Sequence, residues 1–439
     1  MKKNTDRKSM NKRILKLAVP SILANITVPL VGMVDIGVVG RLGSTASIGA
    51  IAIGTMLFDV LYWNFGFLRI GTGGLTAQAY GKRDFSKSIR HLSQGLATAL
   101  GISFFLFSIQ YLFVELVFLI VDCSPEVELF ARQYYFIRIW AAPATLCLFV
   151  FKGWFIGMQN TISPMIIDIT VNVLNLVLSI FLVLHTSLGF IGVAWGTLIA
   201  QYVGFFLSII LLLIYYKKLF KYIDLKSHIR WKEMKGMLRM NSDLFIRSLC
   251  FMMIYAGFTS FAANYGDTQL AVSSIMMKIV MLFSYFVDGF AYAGEALVGK
   301  YTGQKNNPML KKSVKFLFQW VLVIGLACTL IYAVWGEGMV KLMTTNSNVI
   351  ESSKSFIKWL IIMPIIGSAA FMWDGVFVGA TQSKAIRNCM LWACLAFYIV
   401  FLISKNLLGI QSLWYAYMAH LVVRTLYLSL VAKKRIFIY

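Results

Sequence analysis

The sequence predicts an all-α membrane protein of twelve transmembrane helices, arranged as two six-helix lobes related by a pseudo-two-fold axis. Two observations support this fold class: the chain is too apolar for a water-soluble protein, and its second half repeats motifs of its first. Hydrophobic residues make up 59% of the 439 residues and charged residues 13%, whereas soluble proteins have roughly 45–50% and 25%. Lipid must therefore surround most of this chain.

Twelve apolar runs are long enough to cross roughly 30 Å of hydrocarbon, a distance that takes about 20 helical residues. Their unbroken apolarity predicts helices, because the strands of a membrane barrel alternate between apolar and polar residues. The runs lie near 14–40, 48–70, 89–121, 130–158, 162–184, 187–216, 240–264, 270–299, 311–343, 351–380, 384–405 and 409–432.

An internal repeat divides these twelve runs into two sets of six. The segment FKGWFIG around Gly153 returns about 222 residues later as WDGVFVG around Gly375, and Pro143 returns as Pro364. Many secondary transporters are built from two such repeats, with the substrate path between them. We expect three regions: a first lobe over 1–216, a cytoplasmic linker over 217–239 and a second lobe over 240–439.

The net charge of +23 is concentrated in the loops that would lie inside the cell. Most Lys and Arg residues fall in the N-terminal segment, near 82–90, in the linker, near 300–315 and at the C-terminus. This is the positive-inside pattern of membrane proteins, and it predicts a multi-pass protein of the bacterial inner membrane with both termini cytoplasmic. We therefore expect contacts with anionic lipids and no binding of nucleic acid.

The sequence contains no motif that would indicate an enzyme or a metal site. HExxH and GxSxG are both missing, the four His are scattered, and the six Cys form no CxxC pair. We therefore expect a protein that is not an enzyme, binds no cofactor or metal, contains free thiols and is a monomer.

Asp35 stands in the middle of the first apolar run, where a charged side chain costs about 2.5–3.5 kcal/mol on insertion scales. Charges at such positions are functional by default, and burial penalises the charged form of a carboxylate. We therefore expect Asp35 to take up a coupling ion from one side and release it to the other. The alternative is a structural hydrogen-bonding role.

Several segments together resemble the multidrug and toxic compound extrusion (MATE) transporters, and their DinF-like branch most closely. These are LAVPSILANITVPLVGMVDIGVVGRLG, GFLRIGTGGLTAQAYGKRD, GWFIGMQ, NVLNLVLS and WDGVFVGAT, in order over nearly the whole chain. The resemblance implies efflux by alternating access through a V-shaped central cavity, driven by an inward proton or sodium gradient. It also implies a cation site formed by Asp35, Asn175 and Thr197.

One position departs from the family pattern. Many relatives have an aspartate four residues after the asparagine that matches Asn175, whereas this chain has Ser179. A hard cation such as Na⁺ favours several oxygen ligands and charge compensation, and a hydroxyl brings no charge. We therefore favour proton coupling over sodium coupling.

The repeat also predicts a pair of opposite charges. Lys152 and Asp374 occupy equivalent positions, each immediately before the Gly of a GxFxG motif. They could pair across the cavity in one state and separate in the other, as a gate. The alternative is that each charge has a partner in its own lobe.

Aromatic, sulfur-containing and polar side chains in the spans that line the family's cavity form a candidate substrate surface. Flat rings and polarisable Met suit amphipathic or cationic compounds of varied shape. The function that we predict is efflux of such compounds. A lipid or lipid-linked saccharide flippase of the same superfamily, or a membrane receptor or scaffold, are the alternatives. The candidate cavity residues are Tyr62, Trp63, Arg69, Gln78, Met252, Tyr255, Met276 and Tyr292.

Overall fold

The computed structural model describes residues 2–40, 45–119, 121 and 123–437, with side chains at all of these except 2–8, 30, 32–34, 36–40, 45 and 48. Within these ranges the chain folds into α-helices and short 3-10 turns, and no strand is formed. The helices are α1 (Lys2–Gly40), α2 (Thr45–Phe65), α3 (Phe67–Gly81), α4 (Phe85–Phe118), α5 (Pro125–Arg138), α6 (Ala142–Gly157), α7 (Ile162–His185), α8 (Ile191–Tyr216), α9 (Leu225–His228), α10 (Trp231–Ala263), α11 (Asp267–Gly303), α12 (Asn307–Met343), α13 (Ser347–Ser353), α14 (Ile357–Gly379), α15 (Ser383–Leu408) and α16 (Gln411–Arg435).

Eleven helical segments of the described residues are long and apolar enough to cross a membrane. Each of them coincides with one of the predicted runs after the first. The first predicted run, 14–40, lies in α1, and several of its side chains are outside the described residues. The prediction of an all-α, multi-pass membrane protein is confirmed.

Several helices begin before their apolar runs because polar residues cap them. Asp84 accepts a hydrogen bond from the backbone N–H of Lys87 at the start of α4, and Asn306 does the same for Met309 at the start of α12. A side-chain acceptor at this position satisfies one of the N–H groups that the first helical turn leaves unpaired. The polar loop residues thereby extend each helix beyond the hydrocarbon core.

The repeat seen in the sequence is reproduced in the packing of the helices. In α6, Gly153 lies so close to the backbone of α3 that a methyl group there would overlap the carbonyl group of Arg69. In α14, Gly375 stands in the same relation to Ala291 of α11. Small residues allow membrane helices to approach this closely, so the GxFxG motifs are helix-packing motifs.

Backbone conformation repeats at the same interval. Arg83 and Lys305, which end equivalent helices, have φ angles of 58° and 53°. Gln159 and Thr381, which follow the two GxFxG motifs, have φ angles of 65° and 55°. The left-handed region is uncommon for residues other than glycine. Two matched pairs of such residues therefore show that the halves share one backbone plan.

The described chain divides into two compact units that differ slightly from the predicted lobes. The first unit is Leu23–Leu238, and the second combines Met1–Ile22 with Arg239–Tyr439. The sequence had assigned residues 1–22 to the first lobe. In the structure they pack in the second unit, where Trp320 Nε1 donates to Asn11 Oδ1 over 3.1 Å.

The linker contacts α4 of the first unit through a hydrogen bond and an ion pair. Gln94 Nε2 donates to the backbone oxygen of His228 over 3.1 Å, and Arg90 pairs with Glu233 over 2.6 Å. His228 is buried, and this burial, together with the charge of Arg90, holds the pKa of its imidazole below its usual range. A neutral histidine therefore fits this loop.

Candidate functional site

The first unit brings Asp35 of α1 next to α7. The carboxylate is half-buried, and the side chain of Ser179 lies beside it as a hydrogen-bond partner. The Oδ1 atom of Asp35 is buried and has no hydrogen-bond partner among the described residues. A second α1–α7 contact lies nearer the N-terminus of both helices, where Asn172 Nδ2 donates to Thr27 Oγ1 over 2.6 Å.

Asn175, Ser179 and Thr197 continue from Asp35 as a directed chain of hydrogen bonds. Ser179 Oγ donates to Asn175 Oδ1 over 3.5 Å, and Asn175 Nδ2 donates to Thr197 Oγ1 over 2.8 Å. Thr197 in turn donates to the backbone oxygen of Val193 over 3.0 Å. All three side chains are buried. The structure therefore brings together the four residues proposed as the coupling-ion site.

Close packing of α7 on α8 makes this chain possible. Gly196 of α8 faces the backbone of α7, and a methyl group there would lie 3.0 Å from the backbone nitrogen of Ser179. The spacing of four residues places Asn175 and Ser179 on one face of α7. Thr197 follows Gly196 directly, so its hydroxyl meets the amide of Asn175.

Arg138 is a member of this site that sequence reasoning missed. Its guanidinium donates to the hydroxyl of Tyr134 over 2.8 Å and lies 4.7 Å from the ring centroid of Phe58. Its positive charge also interacts with the carboxylates of Asp35 and Asp59. A detectable signal existed, because Arg138 is a charged residue within the apolar run 130–158.

The chemistry of the site follows from its inventory. The four hydrogen-bonding residues comprise one ionisable acid and three neutral groups with oxygen atoms, and the cation of Arg138 interacts through its charge with both this acid and the exposed carboxylate of Asp59. Such a set can bind a proton on the carboxylate, or a small cation among its oxygens. Thr197 donates its single hydroxyl proton to Val193, and Asn175 donates one of its two amide N–H groups to Thr197. Ser179 is the member whose hydroxyl has two acceptors within reach, Asp35 and Asn175.

The candidate cavity residues of the first unit lie on α2 and α3. Tyr62 stacks on Phe58 with ring centroids 5.5 Å apart, whereas Trp63 is 48% exposed. Arg69 and Gln78 are half-buried on α3. Tyr62 therefore stacks on the same ring that the guanidinium of Arg138 contacts.

The candidate cavity residues of the second unit differ more widely in their exposure. Met252 and Tyr292 are half-buried and Tyr255 is 37% exposed. Met276 is fully buried, with a relative exposure of 0%. Met276 packs in the interior of its unit, and it cannot contact a substrate without a rearrangement.

Lys152 and Asp374 each have a partner within their own unit. Lys152 Nζ forms an ion pair with the carboxylate of Asp168 in the first unit. In the second unit, Asp374 Oδ2 accepts from Arg247 Nη2 and from Arg424 Nη2, both over 2.8 Å. The structure thus shows the alternative to the predicted Lys152–Asp374 pair, because each charge is already compensated locally.

The Asp374 cluster combines distant parts of the sequence. Arg247 lies on α10, Asp374 on α14 and Arg424 on α16. Arg424 is fully buried, and both guanidinium groups lie 4.8 Å from the ring centroid of Phe251. Arginine is suited to such a place because its delocalised charge is weakly hydrated and stacks on aromatic faces.

A duplicated, all-helical membrane fold with ionisable groups inside its spans is typical of secondary transporters. The particular family is also shown. The chain belongs to the MatE family, whose model matches residues 20–181 and again 244–404. The double match covers both halves of the internal repeat.

Relatives agree with this assignment over nearly the whole chain. DNA damage-inducible protein F of Escherichia coli (strain K12) is 31% identical over 430 residues, which cover 97% of this chain and 93% of that protein. Multidrug export protein MepA of Staphylococcus aureus (strain MSSA476) is 21% identical over 380 residues, covering 85% and 82%. The protein is therefore a multi-pass membrane transporter of the MATE family.

Solved structures support the fold. One shows the outward-facing conformation of a multidrug resistance MATE family transporter of the MOP superfamily. It matches with a TM-score of 0.87 and 19% sequence identity, covering 97% of this chain and 96% of that one.

Proposed function

We propose that the protein is a proton-coupled antiporter that exports amphipathic compounds across the bacterial inner membrane by alternating access. The observation that carries this proposal is the buried Oδ1 of Asp35, which has no hydrogen-bond partner among the described residues. An ionised oxygen in such a place is expensive, and a proton removes most of that penalty. Asp35 is therefore the group whose charge would change during transport.

The hydroxyl of Ser179 supports a way of sensing that change. A serine hydroxyl has one proton, so it donates to one acceptor at a time. When Asp35 is ionised, the charge attracts this proton, and the contact with Asn175 is given up. When Asp35 is protonated, Ser179 is released to donate to Asn175 Oδ1, the 3.5 Å contact described above. The protonation state of Asp35 would thereby change the hydrogen bond to Asn175, whose amide also contacts Thr197 of α8.

Proton coupling is favoured over sodium coupling by the charge of the site. A sodium ion needs several oxygen ligands and compensation of its charge. Here Asp35 is the acid, Arg138 places a positive charge nearby, and Ser179 replaces the second carboxylate of many relatives. A single carboxylate beside an arginine is better suited to one proton than to a metal cation.

The substrate class follows from the family and from the lining residues. Staphylococcal MepA is named a multidrug export protein, and the half-buried rings of Tyr62 and Tyr292 offer flat apolar surfaces. We propose amphipathic small molecules as substrates.

The test is transport by purified protein in liposomes, with pH and sodium gradients imposed separately. In the wild type, an inward proton gradient should drive a fluorescent amphipathic dye in the opposite direction, outward. Asp35→Asn should reduce this proton-driven transport to background. Glu126→Gln is the matched control, because Glu126 is an exposed carboxylate of the same unit and lies outside the coupling-ion site. Movement that follows a sodium gradient at constant pH and ignores a proton gradient would overturn proton coupling.

A further inference from the structure

The ion cluster around Asp374 contains one more positive charge than negative. Arg247 and Arg424 both donate to the same oxygen of one carboxylate. Two other ion pairs of the spans, Lys152–Asp168 and Arg387–Asp243, match one cation with one anion. A net charge inside a membrane protein requires compensation, so the cluster is suited to a further anion.

Unused hydrogen-bond donors indicate where that anion would bind. Nε and Nη1 of Arg424 and Nε of Arg247 are buried without a hydrogen-bond partner among the described residues. The rings of Phe251 and Phe371 lie 4.8 and 5.3 Å from the Arg424 guanidinium. These ring faces attract the cations, but they are neutral and accept none of the in-plane N–H groups.

Exposure within the cluster gives a direction of approach. The Arg424 side chain is 1% exposed, that of Asp374 11% and that of Arg247 15%. A ligand would therefore meet Arg247 first, with Arg424 supplying charge from behind. Guanidinium groups recognise planar or tetrahedral oxyanions through paired N–H donors.

We propose that Arg247 and Arg424, held in place by Asp374, form a binding subsite for the acidic group of an amphipathic substrate. The ligand class is a carboxylate, sulfonate or similar oxyanion attached to an apolar body. Acidic or zwitterionic compounds, and not only cations, are then substrates. The identification of the ligand as a transported substrate rests on the proposed function. Binding of an oxyanion at this site does not depend on proton coupling.

The test uses two probes that share a ring system and differ in charge: naphthalene-2-sulfonate and 2-naphthyltrimethylammonium. Binding to purified protein in nanodiscs is measured by calorimetry and by the shift in Tm. We expect the wild type to bind the sulfonate at least about tenfold more tightly than the ammonium compound. Comparable affinities for the two probes would overturn the proposal.

Arg247→Met is the decisive variant. It leaves Asp374 and Arg424 as a matched pair, so the protein should fold with an unchanged or higher Tm while losing about tenfold or more in sulfonate affinity. Arg247→Lys should retain part of the affinity. Lys278→Met is the matched control, because it removes an exposed cation from the same unit and should leave sulfonate binding unchanged.

Free chloride is the other source of such an anion, and a chloride titration distinguishes the two. Sulfonate binding that is lost in Arg247→Met supports the substrate subsite. Stabilisation by chloride without sulfonate binding would overturn the assignment to substrate. If sulfonate binds as expected but no proton-driven transport is found, the proposed function fails while the subsite stands. If proton-driven transport is found but sulfonate does not bind, the subsite is overturned while the proposed function stands.

Discussion

Each of the two units contains a carboxylate within its membrane spans, and the surroundings of the two differ. Asp35 in the first unit has a serine hydroxyl beside it, and one of its oxygens has no partner among the described residues. Asp374 in the second unit accepts from two arginines. The two sites therefore differ in the number of cations that donate hydrogen bonds to the carboxylate. We propose that the first carboxylate changes its charge during transport, whereas the second stays ionised between its two arginines.

The two carboxylates differ although the backbones around them follow nearly the same plan. The glycine contacts of α6 with α3 recur in α14 with α11, and the positive φ angles recur in matched turns. Duplication has thus kept the backbone plan and allowed the buried polar groups to diverge. Substitutions of the carboxylates and of the packing glycines can be compared between the two units.

The largest expected effect on stability is that of Asp374→Asn. This change leaves two buried guanidinium groups without their anion, and breaking a buried ion pair in this way costs about 3–5 kcal/mol. The matched change Asp35→Asn should leave stability nearly unchanged while abolishing transport. Thermal unfolding of both variants in detergent would check the comparison. An Asp374→Asn protein as stable as the wild type would contradict the assigned role of Asp374.

The next effect concerns the shared scaffold. Gly153→Ala and Gly375→Ala would each place a methyl group against the backbone of a neighbouring helix, and overpacking of this kind typically costs about 1–3 kcal/mol. We expect the two losses to be similar. Gly101→Ala is the control, because a methyl group there meets nothing within 4 Å. Unequal losses in thermal unfolding would show that the two motifs differ in their packing.

A smaller effect is expected from the hydroxyl of Ser179. Ser179→Ala removes one hydrogen bond of the chain, which is worth about 0.5–1.5 kcal/mol, so proton-driven transport should fall several-fold without being lost. Ser179→Asp adds a second carboxylate and should make efflux respond to an imposed sodium gradient. Transport assays of both variants at matched pH provide the measurement. A Ser179→Ala protein with wild-type rates would remove this residue from the coupling mechanism.

Much of the fold and part of the site could be predicted from the sequence. The spans follow from apolar run length, and the grouping of Asp35, Asn175 and Thr197 follows from the family resemblance. The partners of Asp374 could not be predicted, because Arg247 and Arg424 are distant in sequence and the repeat suggested Lys152 instead. Arg138 was visible as an intramembrane charge, but its relation to Asp35 depends on how α5 packs in the first unit.

The division of α1 has a consequence for how the two halves could be separated. Residues Met1–Ile22 belong to the second unit, although the remainder of α1 belongs to the first. A polypeptide that begins after the linker would therefore lack the segment Met1–Ile22, and we expect it to be less stable than the same polypeptide expressed together with that segment.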